Sequence, residues 1–433
     1  MDKVNSLRGI NYDDIEQNDS LRLKMQIRER VMLEAGVVFR NNPSNQVPWH
    51  LGTESFSISE NLYKQLCDLG SAFFKLFDWV QLNYNKNKRV EDLLRFGVLP
   101  ELRGLALEEQ LKTFRLDIIL RNGIPIATEL EEVYGNVGKL YAMDLAYNAK
   151  QEALFRMFAS LNLTHIVVDD SVGEYIPELQ LLVTKLHRTY KQNVKVQFLS
   201  EWSPSPNHRV WRFCYSKDFV EYDISKRKLF LESNSTYING LFHGYGAKSI
   251  LAIINDKFLE AELKEYMGSE LFASPLNGTP RSLMLEECSE EELIEFINNR
   301  KKWELRIVDC REDLSLNWGS RGVDFGDVTR SKWETLISLA RKRQIKVNES
   351  IKKADFMLTE LIESDRFDII FWSSEERKLL KMPRGRIRLG PIFFRSDSPL
   401  GILVGGHATF VNTSRKVHLG RHAVCVPMEL PHY

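Results

Sequence analysis

Residues 114–136 read FRLDIILRNGIPIATELEEVYGN, a pattern that leaves few choices of local fold. Apolar residues alternate with Arg115 and Asp117 over 114–121, and 124–131 forms a second strand-like run. Between them, Arg121-Asn122-Gly123 supplies the positive φ angles of a tight turn, so the segment predicts a β-hairpin. Side chains two apart on a strand share a face, which sets Arg115 beside Asp117 and Glu129 beside Glu131. Three carboxylates and one guanidinium then gather on one side of a two-stranded unit. Carboxylate oxygens are the usual protein ligands of Mg²⁺, which keeps part of its shell for phosphates and water. A neighbouring Arg suits a phosphate oxygen whose charge changes during transfer. The same spacing also describes an amphipathic hairpin with its charges in water, and the pattern alone leaves both readings open.

At 433 residues the chain is too long for one simple core, so two or three packed subdomains are expected. Lys plus Arg equals Asp plus Glu at 59 each, so no overall field favours nucleic acid or an anionic membrane. The five cysteines are scattered without a CxxC pair, which argues against a zinc site or a disulfide framework and for reduced thiols in a cytoplasm. Met1 leads into a polar segment with no signal-peptide core, and no run reaches the length of a membrane span. A cytoplasmic protein is expected.

Residues 1–105 read as a helical segment, with periodic runs at 21–39 and 57–85, the second placing Leu62, Leu66, Leu69, Phe73 and Leu76 on one face. After the hairpin, a helix over 142–159, strands at 164–170 and 194–198 and a helix over 178–190 describe a small parallel α/β unit. Asp169 and Asp170, at a strand end, can face a ligand or cap the next helix. Further strands are expected at 210–215 and 228–232. The glycine-rich stretch 240–249 lacks Walker A spacing; Lys248 remains a candidate phosphate-facing cation at the start of a helix over 250–258. Ser289 and Glu292 have capping-box spacing. A strand at 303–310, the glycine turn 317–323, a helix with Trp333, Leu336, Ile337 and Ala340 on one face, and a strand at 345–350 make a lid-like α+β unit. Arg384, Arg386 and Arg388 alternate on a late strand, giving a cationic row for a carboxylate or phosphate or a solvated edge. His418 and His422 lack the accompanying acids or thiols of a metal site. There is no GxSxG or HExxH to support a hydrolase.

Together these parts resemble a known family. The hairpin RLD…GIPIATELE resembles the metal- and phosphate-binding hairpin of ATP-grasp ligases, placed ahead of the glycine-loop lid, as in the circularly permuted proteins related to glutathionylspermidine synthase. LNWGSRGVDFG, SKWETLISLA and KVNESI resemble the lid, and GGHATFVNTSRKVHLGRHAVCVP resembles the terminal segment of that group; the likeness spans roughly residues 105–433. The resemblance implies a permuted ATP-grasp fold: a helical segment at 1–105, the metal-binding hairpin and following helix at 106–160, a small α/β subdomain at 161–240, a nucleotide-binding lid at 241–355 and completing strands at 356–433.

It also implies roles. Asp117, Glu129 and Glu131 would hold Mg²⁺, with Arg115 and Asp117 at the transferred phosphoryl group. Lys248 and Arg306 would meet ATP phosphates, Gly319, Ser320, Arg321 and Gly322 would cover them, and Glu349 would lie near the adenine. Arg388, Arg415 and Lys416 are candidates for the substrate carboxylate. Glu131 stands where the family has Asn, and Arg306 where it has Lys. The implied activity is ATP-dependent carboxylate–amine ligation through an acyl phosphate, on small-molecule or peptide substrates. A nucleotide-binding protein without ligation, or a non-enzymatic adaptor, are the alternatives.

Overall fold

The computed structural model describes residues 18–37, 47, 49–96, 98, 103–104, 107–149, 151–214, 235–310, 312, 316, 322–347, 350–396, 400–417, 419 and 422–431. The first helix, Asp19–Glu34, is capped by Asn18, whose side chain accepts the Leu21 N–H. His50–Gly52 (β1) and Phe56–Ser57 (β2) follow, then the long helix Glu60–Asn83 and the short helix Lys88–Leu94. The hairpin is Thr113–Arg121 (β3) and Ile124–Glu131 (β4). Helices Val137–Tyr147 and Glu152–Ser160 stand where one helix is expected; Asn148, at φ 55, ends the first. His165–Val168 (β5), Lys195–Phe198 (β6), Arg209–Phe213 (β7) and Thr236–Tyr237 (β8) make a second sheet. Ser282–Met284 (β9), Trp303–Asp309 (β10), Val323–Phe325 (β11) and Asp355–Glu360 pair into a third, while Gln344–Val347 (β12) and Ser350–Lys353 (β13) form a separate ladder. Asp355–Glu360 is β14, and Arg366–Ser373 (β15), Lys378–Phe394 (β16), Ile402–Val411 (β17) and Val424–Glu429 (β18) finish the chain.

The central sheet has the order β15-β1-β18-β17-β16-β3-β4, with β2 on β18. Its seventeen-residue β16 changes partner along its length. Arg386 pairs with Arg366 of β15 and Val411 of β17, whereas Arg388 pairs with Ile119 of β3 and Thr409 of β17. β15 and β3 therefore share one edge of β16, and the pairings β15-β1-β18-β17-β16 close into a ring. Among its described residues, the segment expected to be helical, 1–105, holds three helices and also two short strands. β1 inserts between β15 and β18, and so joins two strands from the far end of the chain. Strands of three and two residues carry no detectable period, and their partners lie beyond residue 365.

The helix Glu60–Asn83 anchors the back of the hairpin. Leu62, Leu66, Leu69, Phe73 and Leu76 are all buried, in one cluster with Phe114, Leu116 and Ile118 of β3. Phe114 stacks on Phe393 at 5.4 Å and meets Phe74 edge-on at 4.6 Å. Fully burying such side chains contributes roughly 1.5–3 kcal/mol each. Because strand side chains alternate, the same contacts turn Arg115 and Asp117 to the opposite face.

In the second sheet, β6-β5-β7-β8, every pairing is parallel, and the helix Ile176–Tyr190 links β5 to β6, as a parallel α/β unit requires. The expected strand at 228–232 lies outside the described residues. The third sheet has the order β11-β10-β14-β9 and is covered by the helix Arg330–Arg341, which buries Trp333, Ile337 and Ala340. The Ser289–Glu292 capping box is formed. Among the described residues, no helix is long and apolar enough to cross a membrane.

Candidate functional site

The turn of the hairpin sets its register. Asn122 and Gly123 take φ of 54° and 76°, and their N–H groups donate to the two Asp365 carboxylate oxygens at 2.8 and 2.7 Å. From there the ladder runs to Asp117 opposite Glu129 and Arg115 opposite Glu131, with a bulge after Asp117. Asp117, Glu129 and Glu131 each bring a carboxylate oxygen within 4.8 Å of the others. The expected convergence on one face is therefore present.

Guanidinium groups surround these acids. Arg388 Nη1 lies 2.6 Å from Asp117 Oδ2. Arg115 Nη2 lies 3.1 Å from Asp117 Oδ1 and 2.6 Å from Glu131 Oε2, while its Nη1 donates to the Gly135 carbonyl at 3.2 Å. Arg306 reaches from β10, its Nη1 donating to the Thr128 carbonyl at 2.6 Å and its Nη2 lying 3.9 Å from Glu129. The bulge after Asp117 leaves Thr128 without a pairing partner on β3, and its carbonyl turns to Arg306.

Electrostatics divide the acids. Burial works to raise the Asp117 carboxyl, but Arg388 and Arg115 outweigh it and hold it below the usual carboxylate range. Burial pushes Glu131 up, Arg115 pulls it back, and Asp117 and Glu129 push it further, leaving it at about 8. Behind them on β17 sits His407, only 2% exposed, its ring filling the space over Gly390, where a Cβ would come within 2.8 Å of it. Burial, then Arg115 and Arg388, push His407 down to about 3, so it is neutral. Its Nδ1 has no hydrogen-bond partner among the described residues.

In front of the acids lies a cleft of about 790 Å³, its open mouth included. Asp117, Thr128 and Glu129 form one wall, and Glu304, Arg306, Val323, Phe325 and Glu360 from the third sheet form another. Arg388, Arg415, Lys416 and Val417 also line it. Lys416 donates to the Val323 carbonyl at 2.9 Å and sits 5.7 Å from the Phe325 ring. Burial lowers its pKa despite Asp324 and Glu304 nearby. Arg415 lies 3.6 Å from Asp327.

Of the residues singled out in sequence, Asp117, Glu129, Arg306, Arg388, Arg415 and Lys416 line this cleft, and Arg115 and Glu131 are the next pair along the same face of the hairpin. Lys248 is not among the lining residues; it lies half-buried ahead of the five-residue helix Ile250–Ile254, shorter than expected. Gly322 is buried where a Cβ would fall 2.6 Å from the Leu316 carbonyl and 2.8 Å from Ile307 Cβ. Gly319, Ser320, Arg321, Glu349 and His418 lie outside the described residues. Asp169 and Asp170 take the capping alternative: Asp169 accepts the Ser171 N–H at 2.7 Å, and Asp170 accepts the Ser200 N–H at 3.0 Å. The Arg row divides, because Arg384 takes φ 50 and its N–H donates to Asp368, while Arg386 donates to the Ser414 carbonyl. Sequence reading missed Glu304, Glu360 and His407. Glu304 could have been found from its two-residue spacing to Arg306; the other two carry no local signal.

No protein-family model matches the chain, and no curated protein matches its sequence. Among solved structures, the chain is similar to a glutathione synthetase-like effector, GSS30, from Globodera pallida. The TM-score is 0.58 at 11% identity, covering 96% of this chain and 99% of that one. It also aligns with a Methylobacillus flagellatus protein provisionally named a gamma-glutamylcysteine synthetase, at TM-score 0.40 and 12% identity over 84% of this chain and 88% of that one, too loosely to carry an argument. The first likeness shows the fold, a mixed α/β architecture shared nearly end to end with a glutathione synthetase-like protein.

Proposed function

We propose that this chain is an ATP-dependent carboxylate–amine ligase of the circularly permuted ATP-grasp type. The observation that carries the reading is the convergence of Asp117, Glu129 and Glu131 at the wall of a cleft whose other side is the third sheet. The order along the chain supports it as well, since the acidic hairpin precedes β10 and β11. The glutathione synthetase-like neighbour supports ligase chemistry of this general kind.

The donor set suits Mg²⁺: hard carboxylate oxygens, close enough to share one ion, beside a cleft that leaves room for phosphates and water. Asp117, Glu129 and Glu131 would hold it, and bound there it would draw charge from the phosphate chain as a Lewis acid. Arg306 reaches the cleft from the lid side and Arg115 backs the acids; both are cations for phosphate oxygens. Arg415 and Lys416 also line the cleft and suit a substrate carboxylate. That carboxylate attacks the γ-phosphorus, ADP departs, and an amine displaces phosphate from the acyl phosphate to leave an amide. The enclosing walls align the two reactants and keep water from the acyl phosphate.

One observation favours a second reading, nucleotide binding without ligation. Arg306, although it lines the cleft, is engaged by the Thr128 carbonyl, by Glu129 and, at 3.7 Å, by Glu304. Both readings are tested by incubating the protein with Mg-ATP and mixtures of small carboxylates and amines. The ligase reading expects ADP release that depends on both co-substrates and disappears in Glu129→Ala. Thermal stabilisation by Mg-ATP with no ADP under any pairing would select the second reading. No stabilisation would remove both.

A further inference from the structure

The acids of the hairpin are already balanced. Three carboxylates, Asp117, Glu129 and Glu131, face three guanidinium groups, Arg115, Arg306 and Arg388. A dication entering alone would add charge to a largely buried cluster with no negative charge to spare, and uncompensated buried charge is costly. A polyphosphate entering alone would meet Glu129, Glu304 and Glu360 and would find two of the cleft's cations already engaged, Arg306 by the Thr128 carbonyl and Glu129, and Arg388 by Asp117. Each ion supplies what the other lacks.

The arginines differ in freedom. Arg115 is only 6% exposed and is tied to Asp117, Glu131 and the Gly135 carbonyl. Arg306 is tied to the Thr128 carbonyl. Arg388 is more exposed, at 17%, lines the cleft itself, and is held through Asp117 Oδ2, an oxygen within the acidic group.

We propose that Arg388 is a coupling residue: it occupies the Asp117 oxygen until a divalent cation takes its place, and then turns its fork to the phosphate that arrives with the cation. The site thus loads metal and polyphosphate together, and takes up neither well alone. The inference rests on the nucleotide reading above and adds to it a thermodynamic coupling between the two ligands, which must be reciprocal. Guanidinium forks suit phosphate as well as carboxylate, so Arg388 loses little in changing partners.

The test is a Mn²⁺ titration followed by the loss of the free-ion EPR signal, with and without a non-hydrolysable ATP analogue. The wild-type protein should bind Mn²⁺ at least about tenfold more tightly when the analogue is present, within the usual range of such couplings. Arg388→Gln should bind Mn²⁺ alone at least about tenfold more tightly than wild type, and its coupling should shrink. Arg388→Lys, which keeps the charge but not the fork, should fall between. Wild-type Mn²⁺ affinity unchanged by the analogue would overturn the coupling, and needs no variant to fold. Unaltered Mn²⁺ affinity in a folded Arg388→Gln would overturn the role of Arg388. Failure of the wild-type protein to bind Mn²⁺ and analogue in any combination would overturn the nucleotide reading, and this inference with it.

Discussion

Two places in this molecule bring acidic residues to the end or face of a strand, and their fates differ. On the hairpin, Asp117, Glu129 and Glu131 converge on one another and on Arg115 and Arg388. At the end of β5, Asp169 and Asp170 turn instead to the backbone N–H groups of Ser171 and Ser200. The second pair has local donors within reach, a helix start and a turn, and acids beside free N–H groups cap them. The hairpin acids have no such donors, because their own backbone is committed to the ladder. They are left for side-chain cations and for whatever enters the cleft. Acidic residues mark a site where the backbone cannot use them.

Substitutions can break this contrast, and the largest effect belongs to Asp117. Asp117→Ala leaves Arg115 and Arg388 side by side without the carboxylate they share, and should cost about 3–5 kcal/mol in denaturant unfolding, as the breaking of a buried pair does. It should also abolish stabilisation by Mg-ATP. If the acids were only a solvated face, the same change would be nearly silent.

Acid stability should expose the neutral His407. Its folded pKa of about 3 lies below the ordinary histidine value of about 6.5, so the unfolded chain takes up a proton the native state refuses. The stability tied to this group is present above about 6.5 and is lost as pH falls toward 3. His407→Gln should flatten that part of the curve in urea titrations at pH 4–7 relative to wild type.

Glu131 works in the opposite direction. Its folded pKa of about 8 lies above the ordinary value of about 4.3, so the native state holds a proton the unfolded chain has released. Its contribution is full below about 4.3 and falls as pH rises to about 8. Glu131→Gln should therefore remove a decline in stability over that range. Mn²⁺ binding with nucleotide should tighten with pH up to about 8 in wild type and lose that dependence in the variant.

The smallest effect is expected at the other acidic pair. Asp169→Ala removes a cap and should cost about 1 kcal/mol of stability while leaving nucleotide binding intact. Loss of nucleotide binding in Asp169→Ala would show that the end of β5 is part of the site, and would erase the contrast.

The elements with strong local signals were legible in the chain. The hairpin follows from period-two alternation around Asn122-Gly123, the helix Glu60–Asn83 from its apolar face, and the β5–β6 unit from strand, helix and strand spacing. The shared face of Arg115, Asp117, Glu129 and Glu131 was legible for the same reason, since a strand places side chains by parity alone. What parity could not reveal was company. That Arg388 meets Asp117 depends on β16 leaving β15 midway to pair with β3, a choice made some 270 residues along the chain. That β1 belongs to the central sheet, that Glu304 and Glu360 line the cleft with the hairpin acids, and that Lys248 is not among its lining residues are likewise matters of long-range pairing. Local sequence sets which way a side chain points along its own strand; only the packed sheets decide which charges it faces there, because electrostatic balance is a property of neighbours in space.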